Sequence, residues 1–298
     1  MPVDLVAPTR DRSAISLIAA GILWGTGGLA GSLLARQAHL QPLSVATYRL
    51  LLGGVIAIAL LAVSGGLRGL PRSRAALRRI LLSGALLGFF QGSYFVAVHY
   101  ISVSIATMAT IGTLPVFVAL GTAIRTRRRP DAATLAAIAA AVAGLVLITW
   151  SPGGIASGWK LVAGVGFALL AAAGFAVLTL LTPTPVEGLD PLRTTAFGML
   201  TGGLLLLPAG LAGGMALPLH PGTLATAAYL GSVPTAIAYT AYFRGLRTAA
   251  PIFAAIAALL EPLTSAVLSA VVLGDRLTVL GWCGAALLIA ALAVTSRR

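Results

Sequence analysis

The chain has 298 residues, of which 58% are hydrophobic and 9% charged, with a mean hydropathy of +1.00. A soluble domain carries about 25% charged residues, so this composition excludes an ordinary soluble fold and points to a protein that crosses a membrane many times. A net charge of +13 would suggest a nucleic-acid partner in a soluble protein. Here the cations sit in short connections between apolar runs, so they read as topology and no nucleic acid is expected.

Ten apolar segments follow one another, each near the roughly 20 residues a helix needs to span about 30 Å of hydrocarbon. They cover residues 14–34, 43–63, 80–98, 103–124, 132–150, 159–181, 192–211, 222–243, 249–273 and 278–295. The first, with Trp24, runs past the length of a signal-peptide core and lacks a clear small-x-small cleavage site, which predicts a retained span. The second carries Arg49 about seven residues in, at a depth of ~10 Å. The third pairs Gln91 with Tyr94 on one helix face, and the fourth holds Pro115. Phe175 lies in the sixth, and Tyr239 and Tyr242 share a face of the eighth. The ninth holds Glu261 and Pro262. Cys283, the single cysteine, falls in the tenth and is expected to be a small buried core residue. The 35 glycines are expected to let helices approach closely.

Lys and Arg set the direction of the spans. With the N-terminus in the cytoplasm, the inner segments hold Arg10, Arg12, Arg68, Arg72, Arg74, Arg78, Arg79, Arg125, Arg127, Arg128, Arg129, Arg193, Arg244, Arg247, Arg297 and Arg298. The outer segments hold only Arg36, Lys160 and Arg276. This asymmetry predicts ten helices with both termini inside.

The halves 1–150 and 151–298 resemble each other. ATIGTLPVFVALGTAI in the fourth segment parallels AALLEPLTSAVLSAVV in the ninth, with Pro115 opposite Pro262. GLVLI in the fifth lies opposite LLIAA in the tenth, and Tyr94 lies near Tyr239. Five spans per half turn the second copy over. The expected fold is therefore an all-α integral membrane protein of two inverted five-helix repeats, with its site near the midplane between them.

ILWGTGG, PLSVATYRLLLGG, YISVSIATMATIGTLPVF and LLEPLTSAVLSAVVLGDRLTVLGWCGAALLIAA together resemble the drug/metabolite transporter superfamily, in particular its ten-span EamA family. Asp275 stands where that family commonly has Glu, and RTRRRPD replaces the acidic turn in the first half. The resemblance implies that spans one to four and six to nine line a cavity, with spans five and ten at the periphery. It also implies a bacterial inner-membrane exporter, with aromatic and neutral amino acids the first substrates to compare.

Glu261 lies about 18 Å from either end of its span at 1.5 Å per residue. A charge there costs at least about 2.5 kcal/mol on insertion scales, so it should face the interior or a wet cavity. Three roles stay open: binding a substrate ammonium, coupling to protons, or anchoring helices while protonated or paired. Arg49 could snorkel to the interface, contact a substrate carboxylate through its planar fork, or form an ion pair that holds the halves in one state. Pro115 and Pro262 each remove a backbone donor and are expected either to be paired bending points or to kink their helices with no gating role. Trp24, Gln91, Tyr94, Tyr239 and Tyr242 join Glu261 as candidate substrate contacts. His99, Tyr100 and Trp150 are expected in the outer aromatic belt.

No Walker motif occurs, and three scattered histidines offer no zinc cluster, so no cofactor or metal is expected and the chain is not read as an enzyme. The expected function is export of small neutral metabolites, amino acids first, by alternating access. The alternatives are drug or nucleotide-sugar movement, a non-transporting membrane subunit, and a lipid-acting enzyme. The partners are a small-molecule substrate and the bilayer, and a monomer is favoured.

Overall fold

The structure, a computed structural model, describes residues 9–68, 73–101, 103–149, 158–273 and 279–296. Trp150, Arg72, Asp275, Arg276, Arg297 and Arg298 fall outside the described residues. Within them the chain is helical and contains no strand: α1 Thr9–Ala38, α2 Pro42–Val63, α3 Arg74–Tyr100, α4 Val103–Thr126, α5 Ala132–Thr149 and α6 Trp159–Leu181. The second half continues with α7 Pro191–Ala212, α8 Pro221–Gly231, a π-helical turn Ser232–Ile237, α9 Ala238–Gly245, α10 Pro251–Ala258, α11 Leu260–Leu273 and α12 Val279–Ser296.

Local chemistry sets several starts. Proline occupies the first turn of α2, α7, α8 and α10, where its missing N–H costs nothing. The Ser73 hydroxyl accepts from the Ala76 N–H at 3.1 Å to cap α3, and Asp190 accepts from the Arg193 N–H at 2.8 Å to cap α7. Seven stretches are long and apolar enough to cross a membrane, and two shorter apolar helices, Ala132–Leu147 and Val279–Thr295, accompany them. The first and third segments extend at their starts beyond the apolar runs, because α1 and α3 continue into arginine-bearing turns.

Packing repeats between the halves. α1 lies on α11 and on the α8–α9 run; α6 lies on α4 and α3 in the matching way. α2 pairs with α7, and α5 pairs with α12. Glycine makes these seams close. A Cβ at Gly54 would stand 2.7 Å from the Leu200 nitrogen, and one at Gly202 would stand 2.8 Å from the Gly84 carbonyl oxygen. Across α5 and α12, a Cβ at Gly144 would come within 2.6 Å of the Gly284 oxygen. Without a hydrophobic drive between helices in lipid, such close backbone contact is the main source of association.

Cys283 corrects the expectation of burial: its side chain is exposed. α12 turns Gly284, Ala285, Leu288, Ala291 and Leu292 inward, and at 3.6 residues per turn Cys283 falls off that stripe.

Candidate functional site

Proline breaks two helices beside one cavity. In the ninth span Pro262 has no N–H for the Ala258 carbonyl, and the Leu259 N–H bonds to Ile256 at 3.0 Å instead. The helix stops at Ala258 and restarts at Leu260, putting Glu261 in the first turn of α11. Pro115, its sequence counterpart, lies inside an unbroken α4, so the two prolines do not bend their helices alike. Gly25 lets α11 sit against α1 here: the Ser265 hydroxyl donates to the Gly25 carbonyl at 2.8 Å.

In the eighth span Pro234 denies a donor to the Leu230 carbonyl. The Thr235 hydroxyl donates to that carbonyl at 2.6 Å, within the π-helical turn. The same hydroxyl accepts from Arg49 Nε at 3.2 Å, while Arg49 Nη2 donates to the Pro234 carbonyl at 3.3 Å. Arg49 therefore turns into the bundle and is held by a helix from the other half; it does not snorkel. π-Helical turns of this kind often mark functional positions.

The cavity is lined by Trp24 of α1, Arg49 of α2, Phe90, Gln91 and Tyr94 of α3, Ile111 of α4, Phe175 of α6, Tyr239 of α9 and Glu261 of α11. Spans five and ten contribute nothing to this wall, and neither does α7. Gln91 Nε2 donates to the Tyr239 hydroxyl at 3.2 Å, and the Tyr94 hydroxyl pairs with that of Thr107 at 2.7 Å. In this wall two buried polar atoms have no partner among the described residues: the Trp24 indole nitrogen Nε1, a donor, and the Gln91 oxygen Oε1, an acceptor. Among the described residues no ion pair or hydrogen bond joins Arg49 to Glu261; the salt bridge found there is Arg193–Asp190, at 3.5 Å. The walls are aromatic, with Phe90 stacked on Phe175 at 4.7 Å and Trp24 edge-on to Tyr239 at 5.0 Å. The free volume is about 20 Å³, room for about one water.

Six of the expected residues thus surround one cavity: Trp24, Arg49, Gln91, Tyr94, Tyr239 and Glu261. Tyr242 does not line it. It is fully buried, 4.9 Å from the Trp24 ring and 5.5 Å from that of Phe175, with its hydroxyl 2.8 Å from Thr179 Oγ1. His99 and Tyr100 are also apart, ring to ring at 5.3 Å, with Tyr100 edge-on to Trp159 at 5.4 Å. Sequence reasoning missed Pro234 and Thr235, although VPT in mid-segment signalled a freed carbonyl with a hydroxyl beside it. Phe90 and Ile111 gave no signal, being apolar residues in apolar runs. Among the described residues no group of three His, Cys, Asp or Glu side chains could hold a metal ion.

A second, larger cavity of about 590 Å³ is lined in part by Phe243, whose ring lies 6.2 Å from that of Tyr242. It lies where the starts of α1 and α3, the α6–α7 connection and the end of α9 meet.

A helical bundle with spans of membrane length and an aromatic cavity with a few polar groups, walled by both halves, defines a multi-pass membrane protein. The chain belongs to the EamA-like transporter family, which matches it twice, over residues 12–150 and 162–297. It is 29% identical over 284 residues to the uncharacterized transporter YwfM of Bacillus subtilis (strain 168), covering 95% of this chain and 93% of that one. It is 24% identical over 296 residues to the uncharacterized inner membrane transporter YicL of Salmonella typhimurium (strain LT2), covering 96% and 95%. One solved crystal structure is similar over 95% of this chain and 96% of its own, with a TM-score of 0.80 at 19% identity, a likeness of fold alone.

Proposed function

We propose that the protein is a secondary carrier of the bacterial inner membrane that exports small neutral metabolites, aromatic and other neutral amino acids first among them, by alternating access. The reading takes residues 1–150 and 151–298 as inverted five-span repeats with both termini in the cytoplasm. Ten crossings follow when the two shorter apolar helices and the broken α8–α9 run are added to the seven long spans. The inner-membrane name of the Salmonella relative agrees with this location. The protein acts as a carrier and not as a lipid-acting enzyme.

The observation that carries the substrate class is the donor set of the cavity. A guanidinium and a carboxylate face one small space without being paired to each other, beside one orphaned donor and one orphaned acceptor. Unpaired buried polar atoms are costly, and an α-amino acid supplies their complements. Its carboxylate suits Arg49 and Trp24 Nε1; its ammonium suits Glu261 and Gln91 Oε1. Phe90, Phe175 and Ile111 leave an apolar wall for the side chain. A net-neutral zwitterion balances one cation and one anion, whereas a nucleotide sugar brings at least two negative charges to a single arginine. With about 20 Å³ free, the site is too small for an amino acid in this conformation, and on this reading the halves part to admit it.

The test is efflux of labelled amino acids from proteoliposomes, for the wild type and Glu261→Gln, with and without a pH gradient. Selective efflux of neutral amino acids is expected. Efflux that ignores the gradient and survives the substitution makes the protein a facilitator with a structural Glu261. Efflux that follows the gradient and is lost in the variant makes Glu261 the coupling group. No efflux of any amino acid refutes the substrate class and moves the reading to drugs, nucleotide sugars or a non-transporting role.

A further inference from the structure

The larger cavity holds a second cluster of charge that the transport reading does not use. Arg12 of α1, Arg79 of α3, Arg244 of α9 and Arg247 just after it line this cavity together with Ser13, Thr182, Thr184, Thr194 and Thr248. Among the described residues its lining contains one acid, Asp190. That carboxylate is already engaged: Oδ1 accepts the Arg193 N–H at 2.8 Å and Oδ2 lies 3.5 Å from Arg193 Nε. Four arginines therefore border one concave space with no other acid in its wall among the described residues.

Cations near this end of a membrane protein are ordinary when they spread into water. These converge. Arg79 is half-buried, and its Nη1 donates to the Leu181 carbonyl at 2.8 Å, which fixes the guanidinium at the cavity wall. Ser13 and Thr248 share a hydrogen bond that ties the start of α1 to the segment after α9. Pro183, Pro185 and Pro191 stiffen the opposite rim.

We propose that this vestibule is a binding site for a phosphate group. Guanidinium forks match phosphate oxygens two at a time. A dianion with several acceptor oxygens answers four cations, whereas one carboxylate leaves most of their mutual repulsion in place. A volume of about 590 Å³ takes the phosphate together with an organic substituent. The vestibule lies at one end of the membrane-spanning helices, where both soluble phosphate compounds and lipid headgroups have access.

The experiment uses the purified full-length chain in a neutral detergent, unfolded thermally in increasing inorganic phosphate, with sodium chloride at matched ionic strength as control. A second arm adds phosphatidylglycerol or phosphatidylcholine to the micelles. The expected result is saturable stabilisation beyond the control by inorganic phosphate, by phosphatidylglycerol, or by both. Phosphate alone identifies a soluble ligand, and phosphatidylglycerol alone identifies a lipid headgroup. Arg247→Gln and Arg79→Gln should each weaken the apparent affinity about tenfold or more, as loss of a charge-assisted contact implies, while Arg79→Lys retains part of it. Arg247 makes no side-chain hydrogen bond within the described residues, so its variant should fold normally even if loss of the Leu181 contact harms Arg79→Gln. Stabilisation no greater than in chloride or phosphatidylcholine, or stabilisation undiminished in Arg247→Gln, overturns the proposal.

Discussion

Thr235→Val isolates the π-helical turn from everything else at the site. Thr235 is fully buried, and valine fills the same volume without the hydroxyl. The substitution deletes two contacts: the 2.6 Å bond to the Leu230 carbonyl and the 3.2 Å bond from Arg49 Nε. A hydrogen bond to a charged group is worth about 1.5–3 kcal/mol, and interhelical polar contacts in membranes average about 0.6 kcal/mol. Arg49 keeps its bond to Pro234, so it loses its orientation and not its place. A loss of about 1.4 kcal/mol in substrate binding is tenfold in affinity. In proteoliposomes KM for the transported substrate should therefore rise about tenfold, with little change in the maximal rate. The unfolding temperature in detergent should fall as well, because the Leu230 carbonyl has lost its donor. Thr235→Ser, which restores the hydroxyl, should recover both. A valine variant with wild-type KM and wild-type thermal stability would show that the arrangement is incidental to Arg49 and would remove it from the account of the site.

Four further outcomes are expected. Gly54→Val pushes a side chain into the Leu200 backbone, 2.7 Å from its nitrogen; overpacking of this sort costs about 1–3 kcal/mol and should lower the unfolding temperature. Gly28→Ala, with nothing within 4 Å of the new methyl, should be neutral or mildly stabilising in the same assay. Pro262→Ala restores a donor for the Ala258 carbonyl and should straighten α10 into α11; stability is expected to hold while transport slows, and unchanged transport would show that the break is not used. Cys283, exposed on the face of α12 away from α5, should react with a lipid-soluble maleimide without loss of transport.

The helical spans were legible in the chain because hydropathy is a property of single segments. The runs that became α2, α6 and α7 needed no partner to be recognised, and Glu261 stood out because a carboxylate amid AALLEPLTSAV has no cheap place in lipid. The gathering of Trp24, Gln91, Tyr94 and Tyr239 followed from matching one half onto the other. What escaped depends on contacts distant in sequence. Arg49 looked free to snorkel because its partners, Pro234 and Thr235, lie about 185 residues further on. Pro115 and Pro262 read as equivalents, but a freed carbonyl breaks a helix only where the surrounding packing lets the chain turn. Cys283 looked buried because an evenly apolar helix does not reveal which of its faces meets protein and which meets lipid.

Ring contacts link the two cavities, and they make a last prediction. Tyr242 lines neither cavity but touches Trp24 and Phe175 in the wall of the site and Phe243 in the wall of the vestibule. A solute passing from one cavity to the other along this line of contacts would part these rings. Aromatic packing resists this, but the directional tie is the single bond between the Tyr242 and Thr179 hydroxyls. Tyr242→Phe keeps the ring contacts and deletes that tie. A neutral hydrogen bond contributes about 0.5–1.5 kcal/mol, so the parted form should gain about twofold to tenfold in population. The reporter is a cysteine at Phe90, in the wall of the site, in a Cys283→Ser background. Its labelling by a small water-soluble maleimide from the vestibule side should accelerate by that factor in Tyr242→Phe, and substrate should slow it again. Equal labelling rates with and without the Tyr242 hydroxyl would mean that solutes reach the site by some other route, and that Tyr242 serves the core and not a gate.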